Sequence, residues 1–474
     1  MKQMRRIIAL GLTLSLCCGL FVTAAFAEEA AAGETAVAAA EEPAAQGTAD
    51  TERTGTAADA GEAQTAESGT EGETAAAETP DGTEAPAGAE TPDVAEPDAA
   101  GTLSFANLES RVRENNLTIQ ALNESIASVN AIDFEKMEKN MRDKLNGIAS
   151  MKFMMLTKPE EYTDAVLSAI GMKGATFSSL QSSYTSLKSA FDDLIDGKTQ
   201  RTYDGVVRQL NNAEDQMVMA AENLYVALLE MNSSHAELQR QLASVDRTLQ
   251  EMELRYSMGQ ISALTLQQVK SGRASLVSGI ATLERNISDY TAQLEQLVGA
   301  EITGSLTLGA VPQVTDDQIA AMDAEKDLET AREKSYEMFD ARLTLTEAEE
   351  AWDDVRDQYR GTNYMRVSGE HTWKAAQYTY QAAVQSYELK FHTMFSAVAD
   401  YRQTLTAKET ALELERANCQ ASELKYQQGT ISKNALLDAR DKVATAEKDV
   451  ETARHNLFTA YRAYCWAVNT GILN

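Results

Sequence analysis

The sequence predicts an all-α protein made of long antiparallel coiled-coil helical hairpins in two internal repeats. Three observations predict it. Apolar residues recur at alternating steps of three and four over long segments, which keeps them on one face of a 3.6-residue helix. A helix-breaking signature occurs twice, RYSMGQIS at residues 255–262 and KYQQGTIS at residues 425–432, 170 positions apart. Roughly 37 residues follow each break before Gly299 or the C-terminus, on the order of 55 Å of helix at 1.5 Å per residue. A helix of that length with a narrow apolar seam has to bury it in a bundle or an assembly.

Residues 1–27 read as a secretory signal. Met1-Lys2-Gln3-Met4-Arg5-Arg6 is a basic start, Ile7 to Phe26 is apolar, and Ala25-Phe26-Ala27 is a cleavage site ahead of Glu28. The expected outcome is export with cleavage after Ala27. The competing outcome is an uncleaved anchor, since the apolar run is long enough to span a bilayer. Lipidation at Cys17 or Cys18 is not expected, because Leu16 precedes Cys17 where a small residue is wanted. Residues 28–100 contain no Leu, Ile, Met or aromatic residue, and set 19 acidic groups against Arg53 alone. Such a stretch cannot bury enough apolar surface to offset the entropy of ordering, so it reads as an acidic disordered linker.

Residues 101–300 form the first repeat. Leu238, Leu242, Val245, Leu249, Met252 and Tyr256 make its seam before the break, and Leu276, Ile280, Leu283, Ile287, Tyr290, Leu294 and Leu297 make it afterwards. Within this repeat an insert at about residues 147–204 has Phe177, Leu180, Tyr184, Leu187, Phe191 and Leu194 at helical spacing. Residues 301–323 are expected to be an inter-repeat loop, and residues 324–474 the second repeat. There the seam thins to Leu405, Leu412, Cys419 and Tyr426, then Val443, Val450, Leu457 and Tyr464, so looser packing is expected.

Each break has its own local physics. Gly259 and Gly429 can take the left-handed conformation that ends a helix, and Ser262 and Ser432 can cap the next one. Ile261 with Leu266, and Ile431 with Leu436, occupy the two positions of a hydrophobic staple. Both turns are expected to be short, stiff reversals.

Arg255-Tyr256-x-x-Gly259-x-Ile261 leading to Leu266, and Lys425-Tyr426-x-x-Gly429-x-Ile431 leading to Leu436-Leu437-Asp438-Ala439, resemble the twice-repeated pattern of the TolC-like outer-membrane efflux protein family. The stretch Leu108 to Ile119 resembles the family's first helix, Leu297-Val298-Gly299 supports the match, and the likeness covers about residues 103–469. The resemblance implies a homotrimer whose hairpins form an α-barrel. Its tips, at Tyr256, Gly259, Ile261, Ser262, Tyr426, Gly429, Ile431 and Ser432, would dock a periplasmic-adaptor-type protein serving an inner-membrane transporter. Asp438 matches one acidic entrance-gate position of the family, whereas Ala435 stands where another carboxylate is common. The chain also departs from the family at its membrane strands, each of which needs about 9–11 alternating residues. Residues 361–369 are too short for two strands and a loop, and the insert of the first repeat is helical in pattern. The expectation is a protomer with little or no β-barrel.

The net charge of −30 repels nucleic acid and argues against that class of partner. Cys419 and Cys465 lie on opposite arms of the second hairpin at unequal distances from its turn, too far apart to pair, and are expected to pack as small apolar residues. His235, His371, His392 and His455 are scattered, with no metal-site spacing, and no phosphate loop or catalytic constellation stands out. Met137, Met141, Met151, Met154 and Met155 cluster near the insert, where helix packing is the expected role and an adaptable binding surface the alternative. The sequence therefore points to no enzyme, cofactor or metal, and to an exported efflux or secretion duct of the cell envelope that works passively. The alternative is a secreted coiled-coil scaffold or adhesin without a channel.

Overall fold

A computed structural model describes residues 98–99, 101–157 and 177–473. The signal, nearly all of the acidic linker and residues 158–176 of the insert lie outside the described residues. The chain divides into two units, Gly19–Glu96 and the remainder. The first of these is also outside them.

Eleven helices and two two-residue strands make up the described residues. The first repeat holds β1 (Thr102–Leu103), α1 (Phe105–Asn115), α2 (Leu117–Asn130), α3 (Phe134–Thr157), α4 (Phe177–Ile195), α5 (Lys198–Ser257) and α6 (Ala263–Leu297). The second holds α8 (Ala324–Lys334), α9 (Tyr336–Gln358), α10 (Tyr364–Gln427) and α11 (Lys433–Thr470). The described part of the insert is helical, as the spacing of Phe177 to Leu194 predicts, although α3 runs straight through residue 147, where the insert was expected to begin. Between the repeats the chain is more than a loop. β2 (Thr307–Leu308) pairs in parallel with β1, Thr102 opposite Thr307 and Leu103 opposite Leu308, and α7 (Asp316–Ala320) starts on a capping box from Thr315 and Gln318. The periodicity gave no warning of β2, because a two-residue strand carries no alternation to read.

The long helices pack in the order α6, α5, α11, α10. Leu238, Leu242, Val245 and Leu249 of α5 are half-buried, and Ile280 and Leu294 of α6 are buried. The second hairpin corrects the expectation of looseness, since Leu405, Leu412, Val450, Leu457 and Tyr464 are all buried. The reason lies in a heptad position of α11 that reads Ala439, Ala446, Ala453, Ala460, Ala467. Phe391, Val398, Leu405 and Leu412, seven residues apart on α10, are buried in one cluster with Ala453 and Ala467, and with the partly buried Ala446 and Ala460, as small side chains at a helix contact allow. Moving back 170 positions into α6 gives Val269, Leu276, Leu283, Tyr290 and Leu297. One repeat fills its seam with large residues on both steps, the other with large and small.

At the end of the long helices away from the Gly259 and Gly429 turns, the two repeats close in the same way. Asn116 and Ser335, 219 positions apart, each break a helix and cap the next one, α2 and α9. Val112 and Ala331 before them, and Ile119 and Met338 after them, are buried at matching positions. The last helix of each repeat ends on a positive-φ glycine against its junction: Gly299 against Asn115, Gly471 against Ser335. Asn116 donates to the Leu297 carbonyl at 2.9 Å, and the Tyr387 hydroxyl donates to the Gly471 carbonyl at 3.0 Å. Beside the first junction, the buried Glu295 carboxylate accepts backbone N–H bonds from Thr303, Gly304 and Ser305 at 2.6–3.1 Å. Burial pushes its pKa up, but these hydrogen bonds outweigh burial and hold it below the usual carboxylate value.

Candidate functional site

Both turns are Schellman caps with the same bonds. Gly259 (φ 72°) donates to the Tyr256 carbonyl and Gln260 to the Arg255 carbonyl, each at 2.9 Å. Gly429 (φ 74°) donates to the Tyr426 carbonyl and Thr430 to the Lys425 carbonyl, again at 2.9 Å. Ser262 then accepts the N–H of Thr265, and Ser432 that of Ala435, at 3.1 Å each. These bonds satisfy amide and carbonyl groups that a helix end otherwise leaves open. Ile261 and Ile431 are half-buried under their turns, whereas Tyr256 and Tyr426 are exposed.

A ladder of polar contacts along α5 and α11 fixes where the two turns lie. Trp466 and Arg462 reach the buried Glu222, Ser233 reaches Glu451, Thr445 reaches Glu237, Arg247 pairs with Asp441, and Asn434 approaches Glu251. As the α5 number rises by 29, from 222 to 251, the α11 number falls by about as much, which defines an antiparallel register held over most of α11. Both turns therefore lie at the same end of the paired hairpins. The Glu222 corner is the strongest joint of the ladder: its carboxylate accepts from the Trp466 indole at 2.8 Å and from the Arg462 guanidinium, which also lies 5.7 Å from the Phe105 and Trp466 rings. Burial pulls the Arg462 pKa down, but the Glu222 hydrogen bond and charge raise it overall.

The tips combine apolar and charged chemistry. Leu254, Tyr256, Met258 and Leu264 stand exposed around the first turn, Leu424 and Tyr426 around the second. Leu254 and Leu424 occupy equivalent positions 170 apart, a match that a residue-by-residue comparison of the two repeats exposes and that the helical seam conceals. Just behind the tips, a groove of about 650 Å³ is lined by residues including Glu237, Arg240, Glu415, Asp438, Asp441 and Asp449. Asp438 is largely exposed there, 3.9 Å from Arg247 of the other hairpin. Burial raises the Glu237 pKa, yet hydrogen bonds from Arg240, Gln241 and Thr445 lower it on balance. Farther along the α5–α11 seam, His455 Nδ1 and Glu230 Oε1 are buried without hydrogen-bond partners, 4.0 Å apart. Burial pushes the imidazole pKa down and the carboxyl pKa up.

Cys419 and Cys465 are free and half-buried, and Cys465 packs against the core of the second hairpin. Among the described residues no three His, Cys, Asp or Glu side chains are grouped to hold a metal ion, and no helix is long and apolar enough to cross a membrane.

No family model matches the chain, and no curated protein matches it. Solved structures similar to it include a membrane protein from Pseudomonas aeruginosa, at 12% identity and a TM-score of 0.45, covering 60% of this chain and 71% of that one. The Campylobacter jejuni CmeC outer membrane channel is similar at 10% identity and a TM-score of 0.47, covering 60% and 68%. The outer membrane protein VceC from Vibrio cholerae is similar at 14% identity and a TM-score of 0.38, covering 58% and 76%.

Proposed function

We propose that the chain is the wall-forming subunit of an exported, TolC-like efflux or secretion duct in the cell envelope. The observation that carries this reading is the placement of two identical glycine-capped turns at one end of an open row of four long helices. The outer helices of the row are α6 and α10, α10 packing on α9 along its N-terminal part, and each keeps apolar side chains exposed: Leu264 and Val277 on the first, Tyr378, Leu389 and Leu414 on the second. Joining such edges between copies closes the row into a ring, and three copies then place six tips around one mouth. The duct works passively, by its bore and its acidic lining. The exposed Leu254, Tyr256, Leu424 and Tyr426 are the contact surface for a periplasmic-adaptor-type protein, through which an inner-membrane transporter supplies cargo. Asp438, beside Arg247, is the candidate gate residue.

Native mass spectrometry of the exported protein tests the assembly. Three copies per particle are expected. A monomer or a two-chain particle would contradict the duct and favour the scaffold or adhesin. For the tips, Tyr256→Ser with Tyr426→Ser is expected to leave the three-copy particle intact and to abolish adaptor pull-down; unchanged pull-down would contradict the docking role.

A further inference from the structure

We infer that the outer face of α6 receives the outer face of α10 from a second copy in one register, with Arg285 of one copy opposite Asp400 of the other. The inference rests on the duct reading, in which these two helices join copies, and adds which residues meet.

The internal repeat sets the register. An offset of 170 carries the buried Leu228, Ile280 and Leu294 onto the buried Val398, Val450 and Tyr464. α10 is therefore the counterpart of α5, and α6 the counterpart of α11. Since α5 and α11 pack on each other within the chain, the contact that repeats theirs joins α10 of one copy to α6 of another. The same offset converts each rung of the α5–α11 ladder into a pair between copies. Ser233 with Glu451 becomes Gln403 with Ala281, Glu237 with Thr445 becomes Ala407 with Ser275, and Arg247 with Asp441 becomes Ala417 with Ser271. Glu251 with Asn434 becomes Ala421 with Leu264. All of these counterparts are exposed. Where the joint within the chain holds carboxylates and a guanidinium, the joint between copies is mostly alanine and serine, which let two helices approach closely without desolvating charge.

One rung keeps its charge. Glu230 and the His455 imidazole, 4.0 Å apart, map onto Asp400 and Arg285. Both counterparts are exposed, and the Arg285 guanidinium donates to its own helix, at the Ala281 carbonyl and the Thr282 hydroxyl. Among the described residues neither Arg285 nor Asp400 forms an ion pair. The charges flanking the two faces are taken up within the chain, Arg273 by Asp246, Lys408 by Asp449 and Arg416 by Glu447. Asp289 and Glu413 match Thr459 and Ala243, which lie off the ladder. Nor does α9 compete for this part of α10. Its first turn already lies opposite Lys390, through Glu337 at 3.8 Å, and its Trp352 stacks on Trp373, so it covers α10 ahead of the matched span.

Native mass spectrometry of the full exported chain over a dilution series tests the charged rung. Arg285→Asp and Asp400→Arg, each alone, are expected to raise the concentration at which three-copy particles dissociate by on the order of 10-fold, because each sets like charges face to face. The double variant is expected to restore it, and circular dichroism to be unchanged in all three. Oxidation tests the register at another rung. Ser275→Cys with Ala407→Cys is expected to give disulfide-linked copies, whereas Thr282→Cys with Ala407→Cys, two turns out of register, is expected to give none. Three-copy particles indifferent to both charge reversals, weakened without rescue in the double variant, or linked equally in the two registers would overturn the inference while leaving the duct standing. An unaltered chain that stays monomeric at every concentration would overturn the duct reading with it.

Discussion

Gly259, Gly299, Gly429 and Gly471 share a left-handed backbone, yet their surroundings differ. A Cβ at Gly259 or Gly429 meets nothing within 4 Å, whereas one at Gly471 would stand 2.3 Å from the Ser335 nitrogen and one at Gly299 2.6 Å from the Asn115 carbonyl. Gly259→Ala and Gly429→Ala are therefore expected to cost only the left-handed strain, roughly 1–2 kcal/mol each. Gly299→Ala and Gly471→Ala add a backbone collision, and about 3–5 kcal/mol is expected. Urea unfolding of the four variants checks the ordering; equal losses would contradict it. His455 supplies a pH prediction at the same scale. Burial holds its folded pKa below the ordinary 6.5, so the unfolded chain binds the proton first. Its contribution is therefore fully present above pH ~6.5 and is lost as pH falls through the lower folded value. His455→Phe is expected to flatten the decline of thermal stability between about pH 6.5 and 5; an unchanged slope would show that the imidazole is not responsible.

Among elements, the α10–α11 pair depends on its alanines and the α5–α6 pair on its leucines. Ala453→Leu puts a bulky chain into a buried position and is expected to destabilise by about 1–3 kcal/mol. At the matching position of α6, Leu283→Ala leaves a gap and is expected to cost on the order of 2 kcal/mol, a partly buried position placing it low in the usual range. Denaturant midpoints for the two swaps measure this, and a stabilising Ala453→Leu would refute close approach. The joint between the hairpins rests on Glu222, whose removal strands the Arg462 charge and the Trp466 indole. Glu222→Ala is expected to cost about 3–5 kcal/mol. Much of this was legible in the sequence. The spacing of Phe177 to Leu194 and the two Gly–x–Ile–Ser turns gave helices and reversals, because periodicity and cap chemistry are local. The alanine seam was misread because small residues look like a weak apolar stripe until the partner helix is known. Glu222 lies 240 and 244 positions from Arg462 and Trp466, and no local pattern announces such a contact.

For the whole molecule, a double repeat yields two hairpins side by side with their turns together, and that arrangement leaves α6 and α10 as the outer long helices. The turns themselves were readable residue by residue, from Tyr256 to Ser262 and from Tyr426 to Ser432. Their common location was implied by the family resemblance and by no local pattern, since it depends on the α5–α11 register set by Arg247, Glu237 and Glu222. Charge at this scale is acidic throughout the linker and in the groove behind the tips. Cryo-microscopy of the exported particle, viewed down its long helices, tests the central claim most directly. The expected image is a closed ring of twelve long helices around an open bore, with six turns gathered at one mouth. Solid rods without a bore, or turns pointing to opposite ends, would contradict it.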